Sequence, residues 1–174
     1  PVETWYHRIA DQHIEYVTIK TADTKLSLSP NHLLPLINCD QVQSMSSNGL
    51  GQLVNHHSKF ASRATVGQCV IVHQNGQFVA APIERVDRET KEGIYSPITS
   101  QGTLVVDGVH VSCFTTLENH WAQHTLHSFI MEMYRVFERF TGVTAADMNE
   151  FMDIPVPMKI AMSLANLIMP ESMY

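Results

Sequence analysis

Residues 94–124 read IYSPITSQGTLVVDGVHVSCFTTLENHWAQH. Two runs rich in β-branched residues, TLVV (103–106) and VHVSCFTT (109–116), flank Asp107-Gly108, a pair suited to the two-residue type I′ turn. The segment reads as a β-hairpin that carries Cys113 in the middle of its second strand.

Two more hairpins lie upstream. IEYVTI (14–19) and KLSL (25–28) flank a polar turn at 21–24, and CVIVH (69–73) and residues 78–86 flank Asn75-Gly76, a second strong turn signal. Residues 40–59 (DQVQSMSSNGLGQLVNHHSK) are polar, glycine-containing and without period, which predicts a mobile loop. After Thr116 the period changes. Leu126, Phe129, Ile130, Met133, Phe137 and Phe140 recur at three- and four-residue steps, the mark of a helix with one apolar face. Gly142 is expected to end it, and Thr144 with Asp147 forms a capping pair for a short second helix through Met152. Ile154-Pro155-Val156-Pro157 breaks the chain, and MKIAMSLANLIM (158–169) is apolar on nearly every side. The chain therefore divides near residue 118 into a β domain, 1–118, and a helical tail, 119–174, which holds every methionine except Met45.

A chain of 174 residues with 44% apolar content is long enough for one well-cored domain with an appendage. A net charge of −6 with 16% charged residues argues against nucleic acid as a partner, because that affinity is built from Lys and Arg. Cys39, Cys69 and Cys113 are an odd set without Cys-x-x-Cys spacing, so no zinc knuckle or dense disulfide framework is expected and at most one internal disulfide can form. The cysteines alone leave the redox compartment open. Pro1 in place of Met, without a charged-then-apolar leader, suggests a piece of a longer precursor. No run approaches the roughly 18 apolar residues of a transmembrane segment.

The motifs resemble a known family. SPITSQGTLVVDGVHVSCFTTLENHWAQH (96–124), FASRATVGQ (60–68) with CVIVH (69–73), and LSLSPNHLLPL (26–36) are similar, in order, to the hedgehog-type autoprocessing domain, the Hint fold shared with inteins, including the nematode hedgehog-related proteins of the warthog and groundhog kind. Together they span most of residues 1–128. The resemblance implies a mainly β Hint-type fold with a C-terminal helical tail. It also implies self-cleavage of a precursor through an internal thioester, with transfer of the N-terminal fragment to a sterol, another lipid alcohol or water. The implied partners are the precursor's own N-terminal domain and that acceptor, in the secretory pathway or outside the cell, with no cofactor and no resident metal.

The resemblance also supplies site residues. Ser29 and His32 match the family's Thr-x-x-His, in which the hydroxyl orients the scissile bond and the histidine protonates the amide nitrogen beside a nucleophilic cysteine. Serine keeps the hydroxyl and loses the methyl group that restricts its rotamer. On the residues alone, Ser-x-x-His is a very common string whose plain reading is a turn before a strand, so its weight comes from the surrounding LSLSPNHLL match. Cys113 matches the Ser-Cys-Tyr/Phe cysteine that assists thiol exchange, and its plain reading is a small buried hydrophobe. His7, aligned with a one-residue gap, stands where the family has the aspartate that activates the acceptor, a task an imidazole can perform; otherwise it is a surface histidine. His120, His124 and His127 lie along one helix side, either as a helix face or as metal ligands, and no further ligand cluster accompanies them. The tail matches the sterol-recognition region in position; by composition it is a helix pair packed on the β domain. The family's nucleophile, in a Gly-Cys-Phe, is expected upstream of Pro1 with the first strands, so residues 1–174 alone are expected not to cleave. A second reading is a Hint-like module that no longer cleaves and serves as a secreted binding domain. Either way, His32 and Cys113 are expected in one pocket.

Overall fold

The structure is a computed structural model that describes residues 2–41, 47–115 and 118–141. Among these residues ten strands and two α-helices follow in order: β1 (Val2–Lys20), β2 (Lys25–Leu28), β3 (Leu33–Pro35), β4 (Ile37–Asn38), α1 (Ser47–His57), β5 (Ser58–Phe60), β6 (Gln68–Gln74), β7 (Gln77–Pro82), β8 (Arg85–Thr99), β9 (Thr103–Val106), β10 (Val109–Ser112) and α2 (His120–Thr141). The fold is mainly β, as the sequence predicts. Three antiparallel sheets form: β2-β1-β8, β4-β6-β10-β9 with β7 added beside β6, and the pair β3-β5.

All three predicted hairpins form. Asn75 and Asp107 adopt φ of 50°, and Gly76 and Gly108 of 78° and 80°, the pair of left-handed residues that a type I′ turn requires. Two boundaries differ from expectation. Val86 belongs to β8 and pairs with Ile19, and β10 ends at Ser112, so Cys113 lies one residue past its strand, in the bend that follows. β1 is much longer than its hairpin half. It pairs with β8 along most of its length, with register breaks between Val2 and Thr4, Trp5 and His7, and Ile9 and His13.

Alternation explains the main core. Val17 and Ile19 of β1, and Leu26 and Leu28 of β2, point inward onto Val70 and Val72 of β6 and Val109 and Val111 of β10. Each such side chain contributes about 1.5–3 kcal/mol when fully removed from water. Cys69, Val70, Ile71 and Val72 have no polar alternation and all four are buried, because β6 has two covered faces. Its second face, Cys69 and Ile71, packs with Ile37 and Leu50.

Leu50 lies on α1, a correction to the predicted loop at 40–59. Leu50, Leu53 and Val54 recur at helical spacing, and Leu50 and Val54 are buried. The need to cover Cys69 and Ile71 outweighs the poor helix propensity of the glycine-rich stretch. A disulfide joins Cys39 to Cys69 across 30 residues. In the loop-entropy account a closure of that length stabilises by about 4 kcal/mol.

The predicted tail helix is present as α2, capped at its start by Asn119, whose Oδ1 accepts the Ala122 N–H at 3.0 Å. The buried side is not the apolar one. His120, Gln123 and His127 are buried, whereas Trp121, Phe129 and Phe140 are 61%, 64% and 86% exposed. The second helix predicted through Met152 and the apolar stretch 158–169 lie outside the described residues. Among those described, no helix is long and apolar enough to cross a membrane.

Candidate active site

Ser29-Pro30-Asn31-His32 forms a turn between β2 and β3, closed by the His32 N–H donating to the Ser29 carbonyl at 3.0 Å. The Phe-Ala-Ser-Arg motif clamps it. Ala61 N–H donates to the His32 carbonyl at 2.8 Å and Ser62 N–H to the Pro30 carbonyl at 2.9 Å. Ala61–Arg63 is a 3₁₀ turn, a shape that points successive N–H groups one way. On the other side the Leu33 N–H donates to the Phe114 carbonyl at 2.9 Å, which ties the turn to the segment after β10.

His32 is buried. Its Nε2 lies 2.6 Å from the Ser112 carbonyl oxygen, and a carbonyl only accepts, so Nε2 carries a proton and Nδ1 is the nitrogen left to exchange one. Burial holds the imidazole pKa below its ordinary value, with the bond to the Ser112 carbonyl opposing. The ring is therefore neutral at pH 7. The carbonyl it holds belongs to the peptide bond joining Ser112 to Cys113.

A cavity of about 250 Å³ opens beside the turn. Ser29 and His32 line it together with apolar Leu28, Leu104 and Val111 and the rings of Trp5, Tyr16 and Tyr95. Ser29 and His32 are thus brought together; Cys113 and His7 are not among its lining residues. Cys113 is wholly buried with Leu33, Phe60, Ile98 and Phe114, and that burial pushes its thiol pKa up against the opposing contact with Thr99. His7 is half-buried on β1 and pairs with Ser96, a residue that does line the cavity.

The three helix histidines surround the Phe114 ring, with centroid distances of 5.4 Å for His120, 6.2 Å for His124 and 5.9 Å for His127. Among the described residues no group of three or more His, Cys, Asp or Glu is arranged to hold a metal.

Sequence reasoning passed over Ser112 and Glu118. A serine beside a cysteine carries no signal of its own, and the Ser112 contact with His32 is made by its backbone. Glu118 accepts the Phe60 N–H at 3.0 Å and pairs with Arg63 at 3.1 Å; the charge complementarity of Phe-Ala-Ser-Arg with a downstream acid was the available hint.

The comparisons with known proteins identify the family. The family model described as "Hint module" matches residues 1–169. Protein qua-1 of Caenorhabditis elegans is 37% identical over 174 residues, covering 98% of this chain and 14% of that protein. Warthog protein 1 of the same organism is 22% identical over 171 residues, covering 98% and 32%, and the Indian hedgehog protein of Xenopus laevis is 32% identical over 114 residues, covering 64% and 25%. The chain therefore spans well under half the length of each of these relatives. A family match across 169 of 174 residues, on a strand framework that clamps the Ser-x-x-His turn, makes this chain a member of the Hint module family, with hedgehog proteins among its relatives.

Proposed function

We propose that this module is the catalytic part of a precursor that cleaves itself through an internal thioester and passes the upstream fragment to an alcohol or water. The observation that carries the reading is the buried, neutral His32 beside the small cavity, with Nε2–H committed to the Ser112 carbonyl. A base of that kind takes the proton of an attacking thiol at Nδ1. Sulfur then bonds to the scissile carbonyl carbon, and as the C–N bond breaks the same proton is delivered to the leaving nitrogen. In the second stage an alcohol or water oxygen displaces the sulfur, and the thiol is regenerated. Ser29, a half-buried hydroxyl in the same lining, orients the scissile bond. General acid-base help of this type is worth about 10²–10⁴-fold.

The attacking thiol comes from upstream of Pro1. Cys39 and Cys69 are joined, and Cys113 is buried and protonated. About 250 Å³ falls short of the roughly 300–1,000 Å³ of ligand pockets, which suits a scissile peptide better than a whole lipid. Sterol or lipid alcohol recognition is therefore assigned to residues 119–174, as a unit appended to 1–118, and activation of the acceptor to His7. Cys113 assists exchange once the bend around it opens. The Cys39–Cys69 disulfide supports the secretory pathway or the cell exterior as the setting, and secretion of the hedgehog type follows.

A protein extended upstream of Pro1 through a Gly-Cys-Phe segment tests this. Hydroxylamine, which attacks thioesters and leaves disulfides intact, should release the upstream fragment, and His32→Ala should slow release by about 10²–10⁴-fold. A folded extended protein that stays whole would sink the reading. It would favour the alternative of a non-cleaving secreted binding module, the reading supported by a Cys113 thiol that does not line the cavity.

A further inference from the structure

Ser112 is wholly buried at the end of β10 and faces two ways. Its carbonyl holds the His32 Nε2–H at 2.6 Å. Its hydroxyl accepts the Phe114 N–H at 3.0 Å and lies 2.8 Å from His120 Nδ1, on the first residue of α2.

An N–H only donates, so the Phe114 N–H takes one lone pair of the Ser112 hydroxyl, which keeps its proton and a second lone pair for His120 Nδ1. Burial, helped by neighbouring His124 and His110, lowers the His120 pKa to about 4 and keeps the ring neutral, so its Nδ1 meets the hydroxyl as acceptor or donor according to its tautomer. The bond from Phe114 N–H to Ser112 Oγ spans two residues and fixes the backbone bend through Cys113. That bend determines where the Ser112 carbonyl aims.

Taking His32 as the proton carrier of the self-cleavage proposed above, we propose that Ser112 and His120 are positioning residues. The Ser112 hydroxyl makes the aim and tautomer of His32 conditional on α2 being seated, so the proton-transfer step senses the docking of α2. Lifting α2 strips the hydroxyl of its His120 partner inside a buried site. The rotor must then turn to another partner, the hold on the Phe114 N–H loosens, and the carbonyl under His32 swings with it. His120 is the right residue for such a link. It starts the helix, directly after the Asn119 cap, and its ring stacks on His124 at 6.0 Å while packing on Phe114.

Ring ¹⁵N spectra of His32 in this chain give a readout that packing alone would not move. Wild type should show the Nε2–H form with a slowly exchanging proton. Ser112→Ala keeps the carbonyl and removes the hydroxyl, and His120→Leu removes its imidazole partner; both should bring His32 into tautomer exchange. His120→Asn, whose Oδ1 can stand near the position of Nδ1, should restore the wild-type spectrum. Should Ser112→Ala unfold, Ser112→Cys, a much weaker hydrogen-bonding group, carries the same test. In the extended protein, Ser112→Ala and His120→Leu should cleave roughly 10- to 100-fold more slowly, the scale of a misaligned reacting group, with His120→Asn recovering most of the rate. Unchanged His32 shifts in the folded variants, or an Nδ1–H form in wild type, would overturn the coupling. Wild-type protein that does not cleave while its His32 spectrum behaves as described would instead overturn the self-cleavage reading, and with it the catalytic meaning of the link.

Discussion

Cys113 donates its S–H to Thr99. The two side-chain atoms lie 3.7 Å apart, and the Thr99 hydroxyl has already given its proton to the Thr103 carbonyl at 2.8 Å, so the sulfur must be the donor. With Cys39 and Cys69 joined, this is the one free thiol of the chain. A thiol-reactive dye at pH 8 should therefore label native protein roughly 100-fold or more slowly than denatured protein, since reaction waits for local opening. Denaturation without reductant should expose one thiol per chain. Rapid native labelling would contradict this burial.

Acid should loosen the fold well above the range in which carboxylates titrate. Burial lowers the pKa of both His110 and His120 from 6.5 to about 4. A histidine kept neutral by folding binds its proton more readily once unfolded. Its contribution is complete above about pH 6.5 and is lost as pH falls toward 4. The slope is about 1.4 kcal/mol per pH unit for each histidine. Urea midpoints at pH 7.5 and pH 5 should differ accordingly, and His120→Asn should flatten the dependence; equal midpoints in wild type would count against it.

Gly102 cannot be replaced without disturbing the seat of α2. Its φ is +67°, and an added Cβ would stand 2.6 Å from His124 Cδ2 and 2.9 Å from Phe114 Cε2. Gly102→Ala should cost about 1–3 kcal/mol from backbone strain and overpacking. Hydrogen exchange should speed up in the first turns of α2 before it does in β6.

The serine at position 29 and the histidine at position 7 should separate by assay in the extended protein. Ser29→Thr should preserve fragment release and Ser29→Ala should slow it about tenfold or more, as a lost hydrogen bond to a reacting group does. His7→Ala should leave thioester formation intact and lower the share of fragment joined to a sterol relative to water. An unchanged product ratio would remove His7 from acceptor activation.

The hairpins were legible because Asn75-Gly76 and Asp107-Gly108 state their turn chemistry locally and the flanking residues are β-branched. The pairing of β1 with β8 was not, since Val2 meets Thr99 only after the intervening chain has folded. Leu50 and Val54 were hidden by Gly49, Gly51 and polar neighbours, and only the second apolar face of β6 makes them a helix. For α2 the period was legible and the docked face was not. Phe114 and Ser112 offer a ring and a hydroxyl, which His120 and His127 match better than Phe129 or Phe140. At the site, the Ser29–His32 turn was readable as a string, whereas the Ser112 carbonyl has no side-chain signature.

The register breaks in the outer half of the β1–β8 ribbon bear on how copies of this protein behave when concentrated. Val2, Trp5 and Tyr95 are exposed there, an apolar stretch of two strands that would otherwise recruit a neighbour into a growing sheet. Each bulge twists the backbone and interrupts the regular row of amide groups that an incoming strand needs. Straightening that stretch by deleting two residues between Ile9 and His13, where β1 advances four residues against two of β8, should raise the tendency to aggregate, measured by light scattering on concentration.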